Sequence, residues 1–139
     1  MKVNIYMYQT IRGPRRQQGY GVYILEAETD HGPMTKTYRI PIEGSRNEAS
    51  LKCLYSALSH MNASSELTLY VESEWLATAL TKWLPKWRRT EYLSARNRKV
   101  AFSDIWTKIG QMLETQELCV FCKEEHSYRG WLVKNAKPA

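Results

Sequence analysis

The sequence lacks any long hydrophobic run. No apolar stretch approaches the roughly 20 residues that a helix needs to cross a bilayer, which excludes a helical membrane protein. The first residues, MKVNIY, are too few and too polar for a signal peptide, so we expect a cytoplasmic protein. The chain has 139 residues, of which 43% are hydrophobic and 24% charged. This composition excludes wholesale disorder and fits one domain with a substantial core.

Cysteine is scarce, and an odd count of three does not build a disulfide framework. Cys119 and Cys122 have the C-x-x-C spacing that a metal or redox pair would use. They lie in the run ELCVFC, which is typical of a strand, where positions i and i+3 face opposite sides. Cys53 falls inside a predicted helix and offers no second pair. We therefore interpret the cysteines as structural.

Acidic residues are missing from both ends of the chain, since none precedes Glu26 and none follows Glu125. The formal net charge of +6 arises in one segment, residues 82–99, which contains seven basic residues and only one acid, Glu91. The rest of the chain is neutral. The basic residues of this segment are Lys82, Lys86, Arg88, Arg89, Arg96, Arg98 and Lys99. Such a concentration favours a surface that faces a polyanion, with a solvated loop as the alternative.

Alternation of apolar and polar residues predicts five strands. The first three are separated by short turns and predict an antiparallel meander, at residues 2–9, 19–27 and 34–42. Two more strands are predicted at residues 67–71 and 118–122.

Helical periodicity predicts three helices between these strands. The first has one apolar face over residues 51–61, with Ser45 as its N-cap and Glu48 completing a capping box. The second covers residues 75–83 until Pro85 stops or kinks it, and the third covers residues 103–113. The tail, residues 130–139, has no strong helix signal. This order predicts an α/β fold with a mixed sheet and helices on its faces.

Short motifs follow one another along this predicted order. They are GYG at residues 19–21, SRNE at 45–48, VESEW at 71–75, KWLPKWRR at 82–89, DIW at 104–106, and a histidine at position 126. Their order and spacing resemble the ribonuclease H family, specifically the bacterial type 1 form that carries a basic protrusion. The resemblance implies a single ribonuclease H-like domain over residues 1–139, with a five-stranded mixed sheet flanked by helices. It also implies that residues 82–99 form the protrusion.

The chemistry that this resemblance implies is matched only in part. Enzymes of the family hold two divalent metals with four carboxylates and cleave the RNA of RNA:DNA hybrids. Glu48 matches the glutamate of the first helix, and Glu72 stands where the family has the aspartate of the fourth strand. The first-strand aspartate falls on Tyr8. The last aspartate, expected after His126, has no acidic counterpart.

Glu48 and Glu72 are therefore the candidate catalytic and metal-binding residues, with Mg²⁺ or Mn²⁺ as the implied cofactor. His126 is a candidate proton shuttle. Each has a structural alternative, because Glu48 completes a capping box, Glu72 can end an exposed strand, and His126 lies in a polar loop. Since two of the four carboxylates are missing, a two-metal hydrolase site is not expected, and whether the chain is an enzyme stays open.

The basic segment is the better-preserved functional feature, since its lysines and arginines would neutralise phosphates. Trp83 and Trp87 are spaced i, i+4 and share a helical face, and we expect Trp83 in the core and Trp87 partly exposed. Arginines of the first hairpin turn, Arg12, Arg15 and Arg16, could add a second phosphate-contacting edge. The candidate nucleic-acid-binding residues are Lys82, Lys86, Trp87, Arg88, Arg89, Arg96, Arg98, Lys99 and Asn47.

Three functions are compatible with these residues. The first is a ribonuclease H-like module that grips an RNA:DNA hybrid or another A-form duplex through shape and backbone contacts, with impaired or absent cleavage. The second is an active metal-dependent endoribonuclease on RNA:DNA hybrids with a rearranged carboxylate site. The third is an interaction protein that kept the fold and lost its nucleic-acid chemistry. The expected partner is a nucleic acid and not a membrane, and the oligomeric state is left open.

Overall fold

The computed structural model describes residues 1–137, so the last two residues of the predicted domain lie outside the described part. Its strands are β1 (Lys2–Gln9), β2 (Gln17–Thr29), β3 (Gly32–Gly44), β4 (Glu66–Val71) and β5 (Glu117–Cys122). They form one sheet in the order β3-β2-β1-β4-β5. The β1–β2 and β2–β3 pairs are antiparallel, whereas β1–β4 and β4–β5 are parallel. The predicted five-stranded mixed sheet is confirmed.

Helices flank this sheet. They are α1 (Arg46–Leu58), α2 (Glu74–Thr78), α3 (Leu84–Arg89), α4 (Ser103–Leu113) and α5 (Arg129–Ala136). A π-helical turn, Ala79–Trp83, joins α2 to α3. Among residues 1–137, no helix combines the length and the apolar character that crossing a membrane requires.

The side chains of β1 separate two hydrophobic cores. Ile5 and Met7 belong to the larger core, which includes the buried faces of α1 and α4. Tyr6 belongs to a smaller core together with Leu132 and Ala136 of α5. Because successive strand side chains point to opposite faces, α1 and α4 cover one face of the sheet, called the first face, and α5 covers the second face.

Gly21 of β2 determines how closely α1 approaches the first face. A Cβ atom at this position would lie 3.0 Å from Cys53 Sγ and 2.5 Å from Ile42 Cδ1. A larger residue would therefore push α1 away from the sheet. The N-terminal end of α1 is also tied to the first hairpin turn, because Arg46 N–H donates to the Gly13 carbonyl at 3.0 Å.

The helix does not stop at Pro85, which corrects one of the two outcomes predicted for this residue. Helical conformation continues past this residue to Arg89, through the π-helical turn in which Leu84 N–H bonds to Ala79 O, five residues back. Pro85 lies in the first turn of α3, where an N–H is not required by an intrahelical bond. The tail, which has no strong helix signal in the sequence, forms α5 and buries Leu132. Pro138 lies outside the described residues.

The cysteines lie as the strand pattern predicts, and none of them is in a disulfide. Cys53 is 1% exposed in the larger core. Burial raises the pKa of its thiol to about 12. On β5, Cys119 is exposed whereas Cys122 packs against the larger core. The two therefore face opposite sides of the sheet and do not form a metal or redox pair with each other.

Candidate nucleic-acid interface and cleft

A cleft of about 700 Å³ opens where the parallel strands β1 and β4 end side by side. The end of β1, the first hairpin turn, the start of α1 and the segment after β4 contribute to its wall. Crevices at the carboxyl ends of strands are a general location for ligands in open sheets. The charged residues that line it are Arg12, Arg46, Lys123, Arg129, Glu72, Glu74 and Glu125.

Glu72, the candidate ligand after β4, lies in this cleft and is already paired. Its Oε1 accepts a hydrogen bond from Arg129 Nε at 2.9 Å, at the start of α5. The neighbouring Glu74 pairs in the same way with Lys123, at 3.2 Å. Two of the carboxylates in the cleft are therefore paired with cations of the same chain.

Glu48, the other candidate ligand, is not among the residues that line the cleft. Its backbone N–H donates to Ser45 Oγ at 3.3 Å, as the capping-box prediction requires. Its carboxylate, however, bonds to Lys52 Nζ at 3.1 Å and lies 3.8 Å from Arg16 Nη1. The carboxylate thus belongs to a charge cluster over Gly44 rather than to the capping box.

These residues do not fit a two-metal carboxylate site. Tyr8 occupies the end of β1, Glu72 is paired with a guanidinium, and Glu48 is tied to Lys52. Within residues 1–137, no group of three or more His, Cys, Asp or Glu side chains is placed to hold a metal ion. Two hard cations need several anionic oxygens close together, and the cleft does not provide them.

His126, the candidate proton shuttle, lies against aromatic rings and is not among the residues that line the cleft. Its ring centroid is 4.6 Å from that of Tyr6 and 5.4 Å from that of Tyr70. Its Nδ1 accepts a hydrogen bond from the Tyr128 N–H at 3.3 Å, so the remaining ring proton belongs on Nε2. Burial is the largest cause that holds the pKa of His126 below its ordinary value. These contacts give the ring a packing role.

A hydrogen-bonded carboxylate fastens the segment before α5 to the sheet. Glu26 of β2 accepts hydrogen bonds from Asn4 Nδ2 at 2.9 Å, Tyr6 OH at 3.2 Å and Tyr128 OH at 2.5 Å. Burial alone would raise the pKa of Glu26, but the three hydrogen bonds outweigh it and lower the pKa. The predictions from sequence do not include this network, since its members lie up to 102 residues apart.

The basic segment, residues 82–99, presents all seven of its lysines and arginines to solvent. It consists of the end of the π-helical turn, α3, and a loop that the Leu93–Lys99 bridge closes. One of the predicted nucleic-acid contacts also has a structural partner, because Arg88 Nη2 donates to the Gly110 carbonyl of α4 at 2.8 Å. No such side-chain bond engages Lys86 or Arg89 within the described residues.

The two tryptophans of this segment are both half-buried. Trp87 packs against Trp106, with ring centroids 5.3 Å apart, and Trp83 packs against Trp87 at 5.9 Å. Trp87 therefore rests on the core and keeps only part of its ring free for a ligand, and Trp83 is not fully enclosed. Asn47 is also half-buried, and its Oδ1 is enclosed without a hydrogen-bond partner.

Local spacing does not signal the ion pairs of the cleft. Glu72 and Arg129 are 57 residues apart, and Glu74 and Lys123 are 49 apart. Arg46 follows the N-cap in the SRNE motif, but its position at the cleft depends on how α1 meets the first hairpin turn. That contact is tertiary and has no sequence signature.

The sheet order β3-β2-β1-β4-β5, with helices on both faces and a cleft where β1 and β4 end, defines a ribonuclease H-like fold. A model of the RNase H family matches residues 2–128, and the chain belongs to this family. Enzymes of this family generally use divalent metal ions.

Bacterial ribonucleases H are among the curated proteins that the chain resembles. Ribonuclease HI of Haemophilus ducreyi is 23% identical over 112 residues, which cover 81% of this chain and 71% of that protein. Ribonuclease H of Verminephrobacter eiseniae is 23% identical over 114 residues, which cover 82% of this chain and 71% of that protein.

Solved structures share the fold at low sequence identity. LC9-RNase H1, a type 1 ribonuclease H with the type 2 active-site motif, superposes with a TM-score of 0.75 at 14% identity, over 97% of this chain and 70% of that one. The foamy viral protease-reverse transcriptase in complex with dsDNA has a TM-score of 0.71 at 13% identity, over 97% and 90%. The same enzyme in complex with RNA/DNA hybrid has a TM-score of 0.69 at 12% identity, over 97% and 19%.

Proposed function

We propose that this protein binds an A-form nucleic-acid duplex, in particular an RNA:DNA hybrid, and cleaves it slowly or not at all. The observation that carries the proposal is the basic segment, in which all seven basic residues are exposed. Outside residues 82–99 the charges cancel, so this segment is where a polyanion would be attracted. Such a surface contacts phosphates and reads duplex shape rather than base sequence.

The state of the carboxylates supports weak or absent cleavage. In a two-metal mechanism the carboxylates must be free to hold cations that position the attacking water. Here Glu72 is paired with Arg129 and Glu48 is paired with Lys52. Tyr8 offers a phenol where the resemblance to the family implies a carboxylate. His126 is engaged with aromatic rings rather than with the cleft.

A second candidate function is a metal-dependent endoribonuclease on RNA:DNA hybrids with a rearranged site. It is favoured by one observation, namely that Glu72, Glu74 and Glu125 all line the same cleft. Mg²⁺ or Mn²⁺ would have to displace Arg129 and Lys123 from the first two of these carboxylates. Metal-dependent cleavage that disappears in Glu72→Gln would favour this candidate over the first.

Fluorescence anisotropy with a labelled RNA:DNA hybrid tests the binding proposal. Lys86→Ala/Arg89→Ala removes two exposed charges from the basic segment, and Lys36→Ala/Arg39→Ala removes the same charges from the edge strand β3. Each lost phosphate contact should reduce the slope of log K against log [salt] by about 1. We expect a reduction of about 2 in the first variant and little change in the control.

Equal binding and equal salt slopes in the two double variants would contradict the assigned surface. If the unmodified protein shows no hybrid binding at low salt, the nucleic-acid proposal fails as a whole. An interaction protein without nucleic-acid chemistry would then be the remaining function. Duplex DNA and duplex RNA in parallel titrations show whether the A-form preference holds.

A further inference from the structure

We infer that the cleft between β1 and β4 binds a backbone phosphate directly, through Arg12 and Arg46, and needs no divalent metal to do so. The inference rests on the proposed nucleic-acid function and adds a second contact site to the basic segment. It starts from the finding that the residues of the cleft do not fit a two-metal carboxylate site. The active site that the resemblance implies binds metal ions with carboxylates, whereas this cleft contains arginine side chains of the chain itself.

Tertiary contacts hold the two arginines on the same rim of the cleft. Arg46 N–H donates to the Gly13 carbonyl at 3.0 Å, which joins the start of α1 to the turn that contains Arg12. Buried Gln9 reinforces this junction, because its Nε2 donates to the Arg46 carbonyl at 3.4 Å and to Ser50 Oγ at 3.2 Å. Both arginines line the cleft, and both are exposed.

Their guanidinium groups differ from the other cations of the cleft in having no carboxylate partner. Within residues 1–137, Arg129 pairs with Glu72 and Lys123 pairs with Glu74, but neither Arg12 nor Arg46 makes an ion pair. The arginine at position 46 also makes no side-chain hydrogen bond in the described part of the chain. These two positive charges are therefore available to an anion from solution.

Tyr8 helps to place one of these guanidinium groups. The Cζ atom of Arg12 lies 5.2 Å from the centroid of the Tyr8 ring. Nη1 of the same side chain donates to the carbonyls of Gln9 and Ile11, at 2.5 and 2.9 Å. The remaining N–H groups of Arg12 keep their donor capacity, and a guanidinium presents them in a fork that matches phosphate oxygens.

The distribution of charges in the cleft explains why phosphate binding needs no metal ion. A carboxylate at position 8 would repel a phosphate unless a cation lay between them, whereas a tyrosine does not. The ion pairs of Glu72 with Arg129 and of Glu74 with Lys123 offset two of the three carboxylates that line the cleft, and Glu125 is the third. Arg12 thus meets a phosphodiester without an intervening ion.

Hybrid titrations with single variants test this inference. Arg12→Ala and Arg46→Ala should each weaken binding about threefold to tenfold and lower the salt slope by about 1, whereas Arg39→Ala on β3 should do neither. Arg12→Lys should restore much of the slope. Because the Arg12 side chain also supports the turn, thermal unfolding is recorded for every variant. Arg46→Ala removes no side-chain hydrogen bond within residues 1–137 and provides the cleaner test.

Two further arms separate the possible outcomes. Binding by the unmodified protein should be the same in EDTA and in Ca²⁺ at matched ionic strength, and inorganic phosphate should compete only weakly because it offers one contact site. Tighter binding with Ca²⁺ that disappears in Glu72→Gln would overturn the inference. Hybrid affinity and salt slope equal to those of the wild type in Arg46→Ala would also overturn the inference. If Lys86→Ala/Arg89→Ala still loses hybrid affinity in that case, the proposed function remains intact.

Discussion

Replacing Glu26 with Gln removes the charge at the centre of the network that fastens the segment before α5. In the structure this carboxylate accepts three hydrogen bonds, from Asn4, Tyr6 and Tyr128. A hydrogen bond to a charged group contributes about 1.5–3 kcal/mol when buried. Glu26 is only half-buried and Gln still accepts, so we expect a total loss of about 1–2 kcal/mol. For a chain of this size that corresponds to a fall in Tm of about 3–7 °C.

The pH dependence of that loss identifies its cause. Because the pKa of Glu26 is lowered in the folded protein, its contribution to stability is fully present above its ordinary value of 4.5. The contribution disappears as the pH falls through the folded pKa. The difference in the free energy of unfolding between the wild type and Glu26→Gln should therefore be largest at neutral pH and shrink in acid.

Urea unfolding followed by tryptophan fluorescence, at several pH values, measures this difference. The matched control is Glu28→Gln, which makes the same chemical change two residues along β2 at an exposed position. A destabilisation by Glu26→Gln no larger than that of the control would refute the reasoning. A loss that stays constant down to strongly acidic pH would also refute it.

The remaining predictions concern thiol reactivity and the basic segment. At pH 8, a thiol reagent should modify exposed Cys119 quickly and Cys53 only after unfolding, because burial raises the pKa of the Cys53 thiol to about 12. Peptide mass spectrometry measures which cysteine is modified. Rapid modification of Cys53 in the native protein would contradict its place in the core. Arg88→Ala should lower Tm by a few degrees, because the Arg88 guanidinium donates a hydrogen bond to a backbone carbonyl of α4. Arg89→Ala should leave Tm within about a degree of the wild-type value. Equal Tm values for the two variants, measured by calorimetry, would contradict this distinction.

The parts of the fold that sequence predicts well are those with complete local periodicity. β1 runs over the predicted residues 2–9 because its alternating side chains are sorted between two cores. By contrast, α5 has no clear amphipathic pattern and depends on the burial of Leu132 and Ala136 against distant strands. A helix whose stability comes from such tertiary contacts has no strong local signal.

In the candidate site, too, some features can be predicted from local sequence and others depend on tertiary contacts. Exposure of the lysines and arginines in residues 82–99 follows from their density along the chain, and the capping bond of Glu48 follows from its spacing to Ser45. The partners of the carboxylates do not follow from spacing. Arg129 reaches Glu72 only because α5 begins beside the end of β4, which depends on the whole sheet order.

Incubation of the purified protein with a labelled RNA:DNA hybrid in Mg²⁺ or Mn²⁺, with binding and cleavage followed in the same samples, tests the central claim most directly. Glu72→Gln, purified in parallel, controls for a contaminating nuclease, which would act in both preparations. The account predicts saturable, salt-dependent binding with cleavage near the background of the assay. Efficient metal-dependent cleavage by the wild type that is lost in Glu72→Gln would contradict it.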